Sequence, residues 1–462
     1  MFSKEVYVAR RQQLLKDVKN GLILILGNGD SPFNYPANTY TFRQDSTFRY
    51  FFGHDLQNLV GVIDIDNARE YLFGEDVDME DIIWTGPVPS IHDRALEAGV
   101  ENSGSIKDLR KLVDDAVFAG RKVHFVPLYR AENVNFIAEL LHIDKEYVKA
   151  YVSVELIGAC VKQRSIKSDI EVAEIEKAID NAYIMHTTMM KMAAVEGTYE
   201  YEIAGKMEGI ALAGGGPVSF PIILTTHGEI LHGHDHSLQI RKGRMIVSDA
   251  GCENPMGYCS DITRSVPVGG KFSSRQKDIY EAVLSAQTLV PTLVKPGVKY
   301  SDIHLAAVTR LGSALKELGL IKGNIQDAVN CGTMGLFMPH GLGHMMGLDV
   351  HDMENYGENY VGYDKKNIRS TQFGLSSLRL GRELQEGFVI TNEPGCYFIP
   401  ALIDKWRSEN KCSDFINYDM LEKYKDFGGI RIEDDLLVTR DGCRLLGKYI
   451  PKTVAEIEEQ MS

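Results

Sequence analysis

Residues 245–268 read MIVSDAGCENPMGYCSDITRSVPV, and this stretch decides how the carboxy-terminal part of the chain folds. Met245–Asp249 is a short apolar run, and Ile262–Val268 repeats that character. The gap holds Asn254–Pro255 and Gly257, residues that turn a chain. Two such runs joined by turn formers predict a β-hairpin. Asp249 ends the first strand and Asp261 begins the second, so the hairpin would bring both carboxylates to one face.

Further strand-like runs lie on either side, at Phe220–Thr226, Phe388–Asn392, Cys396–Ile399 and Ile430–Thr439. Between them run helical patterns. Ser168 with Glu171 three residues on marks a helix start, and an amphipathic helix then runs towards Met192. Others cover Glu200–Leu212, Ser274 to about Val294, closed by Lys295–Pro296–Gly297, and Ile303–Leu318. Long helices mixed with antiparallel strands indicate an α+β domain. The first third differs. Leu22–Leu26, Leu59–Ile65 and Val123–Val126 read as strands, and Glu5–Val18 and Ala131–Leu141 as helices, an α/β pattern. The character changes near residues 158–167. This predicts an α/β domain over residues 1–160 and an α+β domain over 161–462. The tract Ala401 to Phe427 is polar, aromatic and irregular, and reads as a long loop, which in a compact domain is usually functional or an interface feature.

Composition excludes some functions. Fifty Lys and Arg against 64 Asp and Glu leave a formal net charge of −14. Nucleic acid is therefore not expected as a main partner, because phosphate binding needs clustered Lys and Arg. No apolar run approaches the roughly 20 residues of a membrane helix, and the charged start MFSKEVYVARRQQLLKDVKN has no signal-peptide core. Seven scattered cysteines without a CxxC pair suit a reducing cytoplasm. Cys252 and Cys259, close to the hairpin, read as buried thiols.

Two more carboxylates lie in strand-like settings. Glu393 follows an apolar run in FVITNEPG, and Glu433 sits in GGIRIEDD, where alternation puts Arg431 on the same side. His340, His344 and His351 lie in PHGLGHMMGLDVHD. Taken singly, each has a plain explanation as a turn, cap or solvated edge residue. Taken together, Asp249, Asp261, His344, Glu393 and Glu433 make an oxygen-rich ligand set with one imidazole. That set suits Mn2+, with Co2+, Fe2+ or Zn2+ as alternatives. Two divalent ions are needed to neutralise four converging carboxylates.

The segments DAGCENPMGYCSDITRSVPVGGKF, MPHGLGHMMGLDVHD, ITNEPGCYFI and GGIRIEDDLLVT resemble the pita-bread metallopeptidase family, which includes aminopeptidase P, prolidase and methionine aminopeptidase. YTFRQDSTFRYFFG, residues 40–53, resembles the amino-terminal domain of aminopeptidase P, which methionine aminopeptidases lack. The resemblance thus implies the proline-specific branch. By position it implies that Asp249 holds one ion, that Asp261 and Glu433 bridge both, and that His344 and Glu393 hold the other. It implies Glu393 as general base, His351 as oxyanion donor, and His340 and His232 as pocket residues. It also implies Arg431 beside the bridging glutamate, Tyr397 as a supporting tyrosine, and Arg379 as a substrate-binding residue. His234 and His236 flank His232 in LHGHDHS, which leaves the register there open, and His227 reads as a loop residue.

Two activities compete. The FRQDSTF segment points to aminopeptidase P, which removes the residue before a second-position proline. GLSSLRLGRELQEGF and the tract after it resemble eukaryotic-type prolidase, which cleaves Xaa-Pro dipeptides. The aminopeptidase is the expected activity. A third reading, of another class, is a non-catalytic pita-bread binding protein; creatinase, similarly, hydrolyses its substrate on this fold without metals. Both would lack ligands that this sequence retains. The resemblance also implies a homodimer or homotetramer.

Overall fold

A computed structural model describes residues 1–462, which fall into two compact units. One comprises Met1–Arg164 and Asn355–Tyr360; the other comprises Ser165–Glu354 and Val361–Ser462.

The first unit is an α/β layer. Leu22–Leu26, with every residue buried, pairs antiparallel with Val60–Asp64 and parallel with Val123–His124. Arg69–Phe73 and Asn102–Gly104 extend the sheet on the far side. These two strands and the short hairpin Pro32–Thr39 are absent from the sequence reading, because Arg69–Phe73 buries only its last two residues and the others are too short to show a period. Ile106–Phe118 starts at a Ser105–Asp108 capping box and lays Leu109 and Val113 into the core with Leu24, Val62 and Phe125. Lys4–Asp17 carries a buried cation, Arg11, which donates to Phe51 O, Ala98 O, Gly99 O and Glu70.

The second unit is α+β. Helix Asp169–Ala193 begins where Ser168 N and Oγ donate to Glu171 Oε2, at 3.0 and 2.7 Å. It packs with Glu200–Ala213, and Ser274–Leu293 packs with Tyr300–Glu317. Three small antiparallel sheets accompany them. The first contains the hairpin, with Ile223–Thr225, Met245–Ala250 and Ile262–Pro267 side by side. The second joins Val389–Asn392, Asp434–Val438 and Cys443–Leu445, and the third pairs Gly395–Tyr397 with Gly429–Arg431.

Two expectations need correction. The run Ile430–Thr439 is not one strand. It breaks at Ile432–Glu433 and changes sheets, since Ile432 N donates to Pro394 O and Glu433 N to Thr263 O. The tract Ala401–Phe427 is largely helical rather than irregular. Pro400 sets the first turn of Pro400–Ser408, which buries Ile403 and Trp406, and Tyr418–Leu421 forms a further turn capped by Asn417. Its polar outer face masked that pattern. All seven cysteines are outside disulfides; Cys252 and Cys259 are buried thiols whose Sγ atoms reach the carbonyls of Ala178 and Leu348. No helix is long and apolar enough to cross a membrane.

His304, on Tyr300–Glu317, is buried, and its Nδ1 has no hydrogen-bond partner. Burial pushes its pKa down to about 4. The unfolded chain, near the ordinary value of about 6.5, takes up the proton first as pH falls. Stability carried by neutral His304 is therefore full above about pH 6.5 and is lost progressively down to about 4. His304→Leu is expected to lose about 2 kcal/mol less unfolding free energy than the parent between pH 7.5 and 5, measured by urea titration at each pH. Equal losses in the two proteins would overturn this assignment.

Candidate metal centre

The hairpin forms as the sequence predicts. Asp249 pairs in register with Thr263, and Asp261 stands two residues before Thr263 on the facing strand. The connection closes on Asn254, whose Oδ1 accepts from Met256 N and Tyr258 N, while Gly257 takes a φ of +78°. That positive φ favours glycine over any residue with a Cβ.

His344 arrives from an irregular segment held to strand Val389–Asn392. His344 N donates to Thr391 Oγ1 and Thr391 N donates to His344 O, both at 3.0 Å. Gly343 permits this approach, because a Cβ there would lie 2.2 Å from Thr391 O. Glu393 follows the same strand, and its N donates to Leu342 O at 2.9 Å. Glu433 sits at the sheet change, where its Oε2 accepts from Thr263 Oγ1 at 2.7 Å.

The ligand-type atoms of three groups each lie within 4.8 Å of one another: Asp249, Asp261 and Glu433; His344, Glu393 and Glu433; and Asp261, His344 and His351. The five residues singled out in the sequence thus converge. They line a cavity of about 320 Å3 together with His340, His351, His232, Arg379 and Arg431. His234 lines it as well as His232, so both histidines of the ambiguous stretch reach the site. His236 instead bonds Leu224 O, and His227 pairs with Glu229 at 2.9 Å.

The electrostatics are those of a cation site. Burial, then the Asp249 charge, raises Asp261 well above the ordinary carboxylate range. Burial, then Asp261 and Glu393, does the same to Glu433. Glu393 is pushed up to about 8 by enclosure, with Arg431 opposing and Asp261 and Asp249 adding to the rise. Asp249 Oδ1 is buried and meets no hydrogen-bond donor. His344 Nδ1 donates to Met345 O at 3.0 Å, which leaves the Nε2 lone pair facing Asp261 Oδ2 at 3.3 Å. Burial holds this imidazole neutral, with its pKa down at about 4. Uncompensated carboxylates, an orphaned oxygen and an imidazole fixed in the ligating tautomer fit divalent metal ions.

A second layer holds these groups. Arg431 Nη2 donates to Asp249 Oδ2 at 2.6 Å, Nη1 to the Tyr397 hydroxyl at 2.7 Å, and Nε to Thr263 Oγ1 at 3.1 Å. His340 Nδ1 donates to Gly341 O at 2.7 Å, so its Nε2 accepts from the Tyr397 hydroxyl at 2.9 Å. Asp261 N donates to Asp435 Oδ2 at 3.1 Å. The sequence reading missed Thr263 and Asp435. Thr263 was within reach, because it follows Asp261 by two on a strand and shares its face. Glu354 was also missed; it accepts from His351 Nδ1 and from Arg379 Nε, the latter at 3.2 Å. Phe220, Pro221, Ile223 and Leu231 add an apolar wall to the cavity.

Residues 173–440 match the model of metallopeptidase family M24, and residues 7–124 match that of the aminopeptidase P amino-terminal domain. The chain is 31% identical to the Xaa-Pro dipeptidase of Homo sapiens, over 96% of this chain and 90% of that one. It is 32% identical to a probable Xaa-Pro aminopeptidase of Aspergillus clavatus, over 98% and 95%. Zn-substituted Escherichia coli aminopeptidase P in complex with product superposes with a TM-score of 0.81 at 26% identity, over 100% of this chain and 98% of that one.

Proposed function

The chain belongs to metallopeptidase family M24, and on that premise we propose that it is a two-metal Xaa-Pro aminopeptidase, releasing the residue that precedes a second-position proline. The observation that carries this reading is the convergence of four carboxylates and one neutral imidazole on a single cavity beside an apolar wall. Asp249 would help to hold one ion and His344 and Glu393 the other, with Asp261 and Glu433 contributing to both. Mn2+ suits this oxygen-rich set, and Co2+, Fe2+ or Zn2+ are accepted alternatives. When bound, the ions supply an acidified water and polarise the scissile carbonyl.

The chain's own groups do the rest. Glu393 faces the enclosure as general base and takes the proton of the attacking water. His351, its Nδ1–H donating to Glu354, is the oxyanion residue and donates Nε2–H there as the imidazolium. Arg431 fixes Asp249 and Thr263, and Thr263 in turn orients Glu433. His340 and His232 line the substrate side, and Tyr397 ties His340 to Arg431. A bond before proline is a tertiary amide without an N–H, and nothing in this arrangement needs that donor. Phe220, Pro221 and Leu231 offer an apolar surface to the pyrrolidine ring.

A dipeptidase is the second reading, favoured by the likeness to the human dipeptidase; Arg379 in the cavity wall fits either activity. A paired assay separates them. With Mn2+ added, the chain is expected to cleave Ala-Pro-Ala. Cleavage of Ala-Pro alone would overturn the aminopeptidase assignment, and failure on both would remove the peptidase reading.

The seven cysteines outside disulfides support a reducing cytoplasm as the location, and secretion of the native chain would refute it. Met79, Ile83 and Trp84 are 70%, 71% and 80% exposed on one short helix of the first unit. That patch supports a homodimer or homotetramer. Sedimentation of the purified chain as a monomer would refute assembly.

A further inference from the structure

Arg379 and His351, two residues proposed to bind substrate, share one carboxylate. Arg379 Nε donates to Glu354 Oε1 at 3.2 Å, and His351 Nδ1 donates to Glu354 Oε2. Glu354 is set there by a tight turn, its N donating to His351 O at 3.2 Å. The three side chains are about a third exposed, at 33%, 32% and 37% for Arg379, His351 and Glu354. Charges placed so are partly screened, and a ligand can still reach them.

The hydrogen bond from His351, with the Arg379 charge behind it, brings the Glu354 carboxyl down to about 2 against the opposing effect of burial. Glu354 is thus anionic throughout the working range of a peptidase. At the cavity wall one guanidinium is therefore already matched by one carboxylate.

An Xaa-Pro dipeptide and an Xaa-Pro-Yaa peptide differ at this point. The dipeptide brings a free carboxylate to follow its proline; the longer peptide brings a neutral amide. A guanidinium without a partner would attract the carboxylate. A guanidinium paired with Glu354 presents it with a like charge, which is the repulsive element that specificity requires. Resting on the Xaa-Pro peptidase reading, we propose that Glu354 is a specificity-determining residue that disfavours substrates with a free carboxylate directly after proline, and so sets the length preference of the enzyme.

Glu354→Gln removes the charge and keeps one acceptor oxygen, enough for one of the two donors. Glu354→Asp keeps the charge. The probes are Ala-Pro and Ala-Pro amide, which match in size and differ in the carboxylate, assayed on the full chain loaded with Mn2+. Glu354→Gln is expected to raise the ratio of kcat/KM for Ala-Pro over Ala-Pro amide by about tenfold, chiefly through the KM of Ala-Pro, and Glu354→Asp to leave the ratio near that of the parent. A purely structural role would lower both substrates together. An unchanged ratio in Glu354→Gln, with or without a common loss of rate, sinks the inference while leaving the peptidase reading intact. A parent chain that cleaves neither probe takes both down.

Discussion

Glu393→Ala is expected to lower kcat for Ala-Pro-Ala by at least about a thousandfold while leaving the fold intact. Two losses combine. General-base assistance by a positioned carboxylate is worth roughly 100- to 10,000-fold. On the proposed ligand set, the same substitution also takes a carboxylate from the group around His344, so one ion would be held more weakly. The fold survives because the Glu393 side chain faces the cavity, 19% exposed, and the backbone bond from Glu393 N to Leu342 O does not depend on it. Turnover, metal content by elemental analysis and far-UV circular dichroism on one preparation check all three parts. Normal turnover would refute the role given to this residue.

Arg264→Met is expected to destabilise the second unit by about 3–5 kcal/mol. Arg264 is fully buried and donates from Nη1 to Glu433 O at 2.6 Å and Thr263 O at 2.9 Å. Its Nη2 bonds Asp434 Oδ1 at 2.7 Å and Ile450 O at 2.9 Å, and its Nε bonds Pro451 O at 2.9 Å. Methionine preserves much of the volume but leaves these carbonyls and one carboxylate without the donor, inside the protein. Asp434 keeps Lys452 and Gln287, at 2.5 and 2.6 Å, so the loss is severe rather than complete. A fall in Tm on the order of 10 °C is the expected reading. Because Arg264 grips the backbone at Thr263 and Glu433, activity should fall at temperatures where the variant is still folded. A Tm within 2 °C of the parent, as an order-of-magnitude threshold, would show that the network is redundant.

How far the site was legible depended on how locally each residue is determined. Asp249 and Asp261 were readable because a hairpin is written in consecutive residues: two apolar runs and an Asn-Pro-Met-Gly turn. Glu433 was readable as a residue but not as a conformation. Its position at a sheet change depends on Pro394 O and Thr263 O, which come from distant parts of the chain. Period-two alternation described Arg431 and Glu433 as sharing a side, and both do line the cavity, although the strand between them breaks. The helix Pro400–Ser408 was hidden because only Ile403 and Trp406 of its nine residues are buried, too thin a stripe to stand out against the polar remainder. Glu354 lies in MENYGENY, which reads as a solvated loop; its meaning comes from Arg379, 25 residues on. The five ligand-type residues themselves stood out only as a set, through the resemblance of their flanks to a known family.

Topology adds a constraint of another kind. The chain leaves the second unit directly after Glu354, spends Asn355–Tyr360 inside the first, and returns at Val361. Within the first unit the Tyr356 hydroxyl lies 2.6 Å from Thr47 Oγ1, and Asn355 Nδ2 donates to Pro127 O at 2.7 Å. The two halves are therefore spliced rather than strung in series. Cutting the chain at Arg164 therefore separates the first unit from six residues of its own packing, encoded almost two hundred positions downstream.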